Sequence, residues 1–292
     1  MAYKVLVTGV NGLVGKAVAE NLVSDCLVVG LGRNDANHTG LGIDYHSIDL
    51  SDSDALMRLA ENFRPDVIVH AAAAISNDNL DPLLIDTNVR GLLNLLHFAE
   101  VVKCGKIIYI SGLPIIGDPK MTPITEDHPV YPRSVYHLTK YFGELFLQNK
   151  MDEMDVVVLR LPSPVGSGMP RQKILPVFVS RCLNNEPITL LGHGGRMQNY
   201  INVRDVAVAV RKAMEVSVSG VFNIAYTRSY SNLELAQLCK SVLGSQSELL
   251  FSGEDPDEEV RWIYAIEKAK QELGFVASVT LEESILEIAR TL

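Results

Sequence analysis

The chain is poor in cysteine, and its four cysteines stand far apart: Cys26, Cys104, Cys182 and Cys239 form no Cys-x-x-Cys pair. That spacing excludes a disulfide framework and a zinc cluster and fits a reducing compartment; no metal site is expected. Positive charge is also scarce. Lys and Arg number 26 against 35 Asp and Glu, the net charge is −9, and no basic run occurs. Nucleic acid and an anionic membrane surface are therefore excluded as principal partners. No apolar run is long enough to span a bilayer. The N-terminal MAYKVLVTG enters a strand without the basic-then-apolar pattern of a leader, so a cytoplasmic location is expected. Internal repeats and low-complexity tracts are missing as well. What remains is 47% hydrophobic and 21% charged over 292 residues, which suits a soluble protein with a large core.

The first half alternates short apolar strands with helical patterns. Strands are predicted at 3–8, 26–31, 66–70, 106–110 and 156–161, and helices at 15–23, 53–62 and 88–102. Val135, Leu138, Phe142, Leu145 and Phe146 make the apolar stripe of a further helix. Near-continuous apolar strands alternating with helices predict a parallel sheet covered on both faces. After Pro162 the texture changes. Residues 162–200 are rich in Pro and Gly and read as loops around one helix near 175–183. A helix over 203–215, a strand over 221–225, and helical segments around an acidic loop at 254–259 complete the chain.

The segment Thr8-Gly9-Val10-Asn11-Gly12-Leu13-Val14-Gly15 follows the first strand and opens the first helix. Glycines at that junction permit a tight turn and close approach of backbone to a pyrophosphate, which the helix N-terminus then meets with free N–H groups. The end of the second strand bears on the cofactor. NAD sites usually carry an acid there to bond the ribose 2′-hydroxyl, but this chain reads Gly30-Leu31-Gly32-Arg33-Asn34. An arginine there pairs with a 2′-phosphate, so NADP is preferred. NAD stays as the alternative through nearby Asp35, and a solvated surface Arg33 is the bland reading.

Tyr136 and Lys140 stand four residues apart, on one face of the predicted helix. A phenol exchanges protons poorly near neutrality, but a neighbouring ammonium stabilises the phenolate and makes tyrosine usable as an acid or base. Adjacent His137 points elsewhere and reads as a surface residue.

Together these features resemble the extended short-chain dehydrogenase/reductases, in particular the NAD-dependent epimerase/dehydratase family and its nucleotide-sugar 4-epimerases. The resemblance spans nearly the whole chain. It rests on the glycine turn, Asp49-Leu50 after the third strand, His70-Ala71-Ala72-Ala73, Asn88, the Tyr136/Lys140 pair, Arg160-Leu161-Pro162 and the segment from Tyr200 to Val206. It implies a Rossmann-type α/β fold, a doubly wound parallel sheet with a smaller, interleaved, mostly helical C-terminal substrate domain. Residues 1–162 and 200–227 would form the dinucleotide domain, and residues 163–199 and 228–292 the substrate domain. It also implies Tyr136 as general acid/base, with Lys140 holding the nicotinamide ribose and depressing the Tyr136 pKa. Gly9, Asn11, Gly12, Leu13, Val14, Gly15, Arg33, Asp49, Leu50, Ala71, Ala72, Ala73, Asn88, Leu161 and Pro162 would hold the cofactor. A nucleotide sugar would meet Ser163, Arg196 and Gln198. A homodimer through the helices bearing Asn88 and Tyr136, with Leu95, Phe98, Tyr141 and Leu145 shared, is the implied assembly; the same residues filling the monomer core is the other reading.

The chain departs from that pattern in several places. The family places Ser or Thr five residues before the glycine matching Gly117; that position is Gly112, and Ser111 precedes it. Ser111 is a catalytic candidate if the strand bulges there, and otherwise an ordinary strand-end hydroxyl. The arginine expected before Tyr200 is replaced by Gln198, with Arg196 further upstream. Asn202 stands where the family often has His, and Ser163 where the epimerases have Asn. The acidic run at 254–259 occupies the place of a second phosphate-binding arginine; a solvated loop is its bland reading, and Arg261 is a candidate replacement. Leu113-Pro114 in place of Asp-Glu disfavours a dehydratase. Three readings stay open: a sugar-nucleotide epimerase or reductase, a reductase of a non-nucleotide carbonyl compound, and a catalytically impaired cofactor-binding protein.

Overall fold

A computed structural model describes residues 2–292. The chain opens with β1 (Lys4–Thr8), α1 (Leu13–Leu22), β2 (Leu27–Gly32), β3 (Asp44–Ser47), α2 (Ser53–Asn62) and β4 (Val67–His70). A short turn α3 (Leu83–Ile85) leads through a wide π-helical turn, Asp86–Arg90, into α4 (Gly91–Val102). Then come β5 (Lys106–Gly112), α5 (Val135–Gln148) and β6 (Asp155–Leu161). The predicted helix over 88–102 thus starts earlier, and Asn88 sits in its π turn rather than in regular helix.

Seven parallel strands form the main sheet: β3, β2, β1, β4, β5, β6 and, at the far edge, β10 (Gly220–Asn223). The chain moves outward from β1 to β3 and then returns to lay β4 on the other side of β1. This reversal opens a crevice at the carboxyl ends of β1 and β4, where open α/β sheets bind ligands. Side-chain alternation divides the strands between two cores. Val5, Val7, Ile108 and Ile110 pack with α1 and α7 (Val203–Glu215) on one face. Leu6, Ile107 and Tyr109 pack with α2 and α4 on the other. Both faces are covered, as the continuous apolar strands require.

Residues 162–200 hold more strand than the sequence suggested. β7 (Ser163–Val165), β9 (Met197–Asn202) and β11 (Ser229–Ser231) make a small mixed sheet, and β8 (Ile188–Leu191) pairs with β12 (Leu249–Ser252). These strands run three to six residues and gain their hydrogen bonds from distant partners, so local pattern hid them. Around them α6 (Ile174–Leu183), α8 (Asn232–Leu243) and, after the short α9 (Glu267–Glu272), α10 (Leu281–Ala289) enclose a third core containing Tyr200, Tyr230 and Leu235. Asn202 links α7 to α10: it caps α7 through Arg204 N, and its amide reaches Ser284 and Glu287 of α10.

Two of the four residues expected at a shared interface, Leu95 and Phe98, need correction, whereas Leu145 is exposed. Leu95 and Phe98 are fully buried in this chain's own core. The outward apolar residues of α4 and α5 are Leu93, Val101, Leu138 and Leu145.

Candidate active site

The glycine turn is packed backbone against backbone. Gly9 has φ of +68°, and a Cβ there would lie 2.6 Å from Ala72 Cα; a Cβ on Gly15 would run into the Gly9 carbonyl. Only glycine allows this approach of turn, helix and β4 end. Gly12, the residue before α1, offers no capping side chain, which leaves the first N–H groups of the helix for a ligand. Thr8 fixes the opposite wall, with its Oγ 2.7 Å from His70 Nδ1 and accepting a bond from Ala72 N at 3.3 Å.

Between these walls lies a cavity of about 250 Å³. Thr8, Gly9, Asn11 and Gly12 line one side, and Ala71, Ala72 and Ala73 another. Gly32, Arg33 and Asn34 close the end beyond β2, with Ile48 and Leu50 beside them. Arg33 therefore stands in the cavity wall. Several other expected cofactor residues do not line this cavity. Leu13 and Val14 pack against the core beneath it, and Leu161 is buried there. Asp49 is turned to Ser51, accepting from its backbone N at 2.9 Å and its hydroxyl at 2.8 Å. Asn88 is buried and grips the backbone of Ala74 from both sides, 2.7 and 3.0 Å, while donating to Thr139 Oγ1. Pro162 follows β6, outside the lining residues. Asn11 lines the wall, but its side chain is spent on the segment after β2: it donates to Ala36 O and accepts from His38 N.

Helix α5 carries Tyr136 and Lys140. Ser134 caps it by accepting from His137 N, and lies 2.9 Å from His137 Nδ1, so His137 serves the helix start. Lys140 is buried with its Nζ 4.3 Å above the centre of the Tyr109 ring, a cation–π contact, and Tyr109 in turn stacks on His70. Burial lowers the Lys140 pKa to about 7, opposed by the nearby Glu144 carboxylate. Burial raises the Tyr136 phenol to about 12. The expected depression of Tyr136 by Lys140 is thus absent. Desolvation disfavours both charged forms and is the leading cause of both shifts.

Ser111 requires a second correction. The strand does not bulge: β5 keeps regular parallel register with β6, Ser111 opposite Arg160 and Gly112 opposite Leu161. The buried Ser111 hydroxyl donates to Glu144 Oε1 at 2.5 Å. Glu144, fully buried, also takes Arg160 Nε and Nη2, the latter at 2.7 Å, and Arg160 continues to the Glu126 carbonyl. Ser111 thus belongs to a buried ion-pair network against α5, and is not a free hydroxyl at the site. Sequence reading passed over Glu144, although a lone carboxylate one turn beyond Lys140 in an apolar stripe is a visible signal. Gly112 is extended, and an added Cβ would meet nothing nearer than Pro114 Cδ at 3.6 Å.

On the substrate side, Ser163 donates to Gln198 Oε1 at 3.5 Å, so β7 and β9 bring this pair together. Arg196 is drawn off by the acidic loop, reaching Asp257 at 3.3 Å and Asp255 at 3.9 Å. That loop is not merely solvated. Glu258 accepts from His193 N and Gly195 N, and Asp257 also pairs with Arg133. Arg261 is held within its own loop by the Glu258 carbonyl and the Glu259 carboxylate.

A family model described as the NAD dependent epimerase/dehydratase family matches residues 5–225. The chain belongs to that family. A UDP-glucose 4-epimerase of Mycolicibacterium smegmatis is 29% identical over 302 residues, covering 97% of this chain and 96% of that protein. A UDP-glucuronic acid decarboxylase of Danio rerio is 28% identical, covering 97% of this chain and 71% of that protein. Among solved structures, a UDP-glucose 4-epimerase from Thermotoga maritima, crystallised with UDP-glucose, superposes with a TM-score of 0.90 at 26% identity over 98% of this chain and 97% of the other. The NAD dependent epimerase/dehydratase family uses a nicotinamide dinucleotide, and the cradle here fits one: Gly9 and Gly15 let the turn, the start of α1 and the end of β4 pack backbone on backbone, and the cavity beside them meets a helix start with no capping side chain.

Proposed function

We propose that the protein is a nicotinamide-dinucleotide-dependent UDP-sugar 4-epimerase, with Tyr136 as acid/base. The observation that carries this reading is the Tyr136/Lys140 pair on α5, in a chain whose relatives along its whole length are UDP-sugar enzymes. Inverting a carbinol centre without net oxidation requires a hydride to be removed and returned, and that hydride transfer is the chemistry the cofactor supplies when bound. The chain's own residues handle the proton. With its pKa raised by burial, Tyr136 holds its proton and is ready to give it to a carbonyl oxygen. To take a proton from a sugar hydroxyl it needs Lys140 charged, and Glu144 works against burial to keep it so. Ser163 and Gln198 would orient the sugar, and Arg196 would meet the diphosphate once freed from Asp257. The division into a dinucleotide part (1–162, 200–227) and a substrate part (163–199, 228–292) and assembly as a homodimer belong to the same reading.

For the cofactor, NADP is the finer proposal. Arg33 lines the cavity and no acid follows β2 at Gly32. The family's description names NAD, and that is the alternative. A reductase acting on a non-nucleotide carbonyl is the second reading, favoured by the carboxylates of Asp255 and Asp257 on Arg196.

Incubation with UDP-galactose and UDP-glucose, with sugar composition followed over time, tests the primary reading. Interconversion without added cofactor supports it. No interconversion across UDP-sugars, together with NADPH-dependent reduction of simple carbonyl compounds, would replace it with the second. Tighter binding of NAD than of NADP, unchanged by Arg33→Ala, would overturn the NADP assignment.

A further inference from the structure

We infer that Tyr45 determines which nicotinamide dinucleotide the cavity prefers, by occupying the space that an acidic side chain would need at the end of β2. The inference rests on the proposed use of this cavity for a dinucleotide with a 2′-phosphate. β2 and β3 pair in parallel, Gly30 opposite Tyr45 and Gly32 opposite Ser47. From there the Tyr45 ring reaches across to Gly32: an added Cβ on Gly32 would lie 2.7 Å from Tyr45 Oη and 3.3 Å from its Cε2. Position 32 is where the usual ribose-binding acid would stand, and here that space is filled by a phenol from the neighbouring strand.

Tyr45 also anchors the chain beyond β2. Its hydroxyl donates to Asn34 O at 2.6 Å and accepts from Asn11 Nδ2 at 3.2 Å. Asn11 adds bonds to Ala36 O and from His38 N, at 3.1 and 2.8 Å. The segment after β2 is thereby pinned to both the glycine turn and β3, with Arg33 and Asn34 held in the cavity wall. Asp35, the carboxylate of this segment, bears on Tyr45, whose phenol is raised by burial and further by that charge; position 32 itself offers no carboxylate, and a guanidinium beside it suits a phosphate monoester more than a bare 2′-hydroxyl.

The test is calorimetric titration of cofactor-free protein with NADP and with NAD, with thermal melts to establish folding. Tyr45→Phe keeps the ring and loses both hydrogen bonds. It is expected to weaken NADP about tenfold while moving NAD less than about twofold, since only the 2′-phosphate depends on Arg33 being held. Gly32→Asp alone is expected to gain little NAD affinity, because Tyr45 obstructs the new carboxylate; Gly32→Asp with Tyr45→Ala is expected to gain about tenfold over the single variant. Equal effects of Tyr45→Phe on the two cofactors, or equal NAD affinity in the single and double variants, would overturn the inference. The preference of the unaltered protein reads the NADP assignment separately, because Tyr45 is judged by the change in the ratio.

Discussion

Ser111 and Glu144 share a buried hydrogen bond of 2.5 Å, and this commits to α5 the hydroxyl that stands next to Gly112 in sequence. The carboxylate it serves also neutralises Arg160 and favours the charged form of Lys140. The network is thereby linked electrostatically to Lys140.

Loss of the Ser111 hydroxyl should accordingly be a stability effect. Ser111→Ala removes a bond to a charged group, expected to cost about 1.5–3 kcal/mol, with kcat changed less than about threefold. Urea unfolding beside steady-state kinetics checks both; a loss of kcat without loss of stability would return Ser111 to the reacting atoms.

Glu144→Ala leaves Arg160 buried and unpaired, expected to cost about 3–5 kcal/mol. Glu144→Gln keeps the shape and loses the charge, so its Lys140 should titrate lower still. The pH profile of turnover in Glu144→Gln would show the shift.

Tyr136→Phe should reduce turnover roughly one hundred- to ten thousand-fold while leaving the melting temperature and cofactor affinity close to those of the unaltered protein. Intact turnover would end the acid/base assignment.

Lys140 predicts a specific pH dependence. Its folded pKa, about 7, lies below its ordinary value, so above about pH 7 the unfolded chain holds more protons and stability gains with rising pH. The cost of burying the ammonium is fully present below neutrality. Lys140→Met should therefore stabilise the cofactor-free protein most at acid and neutral pH, and the advantage should fade towards about pH 10. Denaturation midpoints of the two proteins across that range give the difference curve.

Gly112→Ser tests the vacancy left by the usual hydroxyl. The backbone is extended and the nearest neighbour of an added Cβ is at 3.6 Å, so stability should change by less than about 0.5 kcal/mol. An increase in kcat would show that the missing donor limits the native enzyme.

Local pattern in the chain located every strand of the main sheet but β3, whose Asp44–Ser47 carries no apolar run, together with the glycine turn and the helix carrying Tyr136 and Lys140. These follow from local periodicity and from backbone positions that only glycine fills, and neither depends on what lies far along the chain. Tertiary structure alone decided the rest. The strands at 163–165, 188–191 and 197–202 exist through distant partners. Ser111 faces Glu144 because parallel register fixed its side of the sheet. The acidic loop meets Arg196 and Arg133 across gaps no spacing rule reveals. The Tyr136 pKa went the other way from the i, i+4 expectation because spacing gives proximity, whereas desolvation is a property of everything packed around the pair.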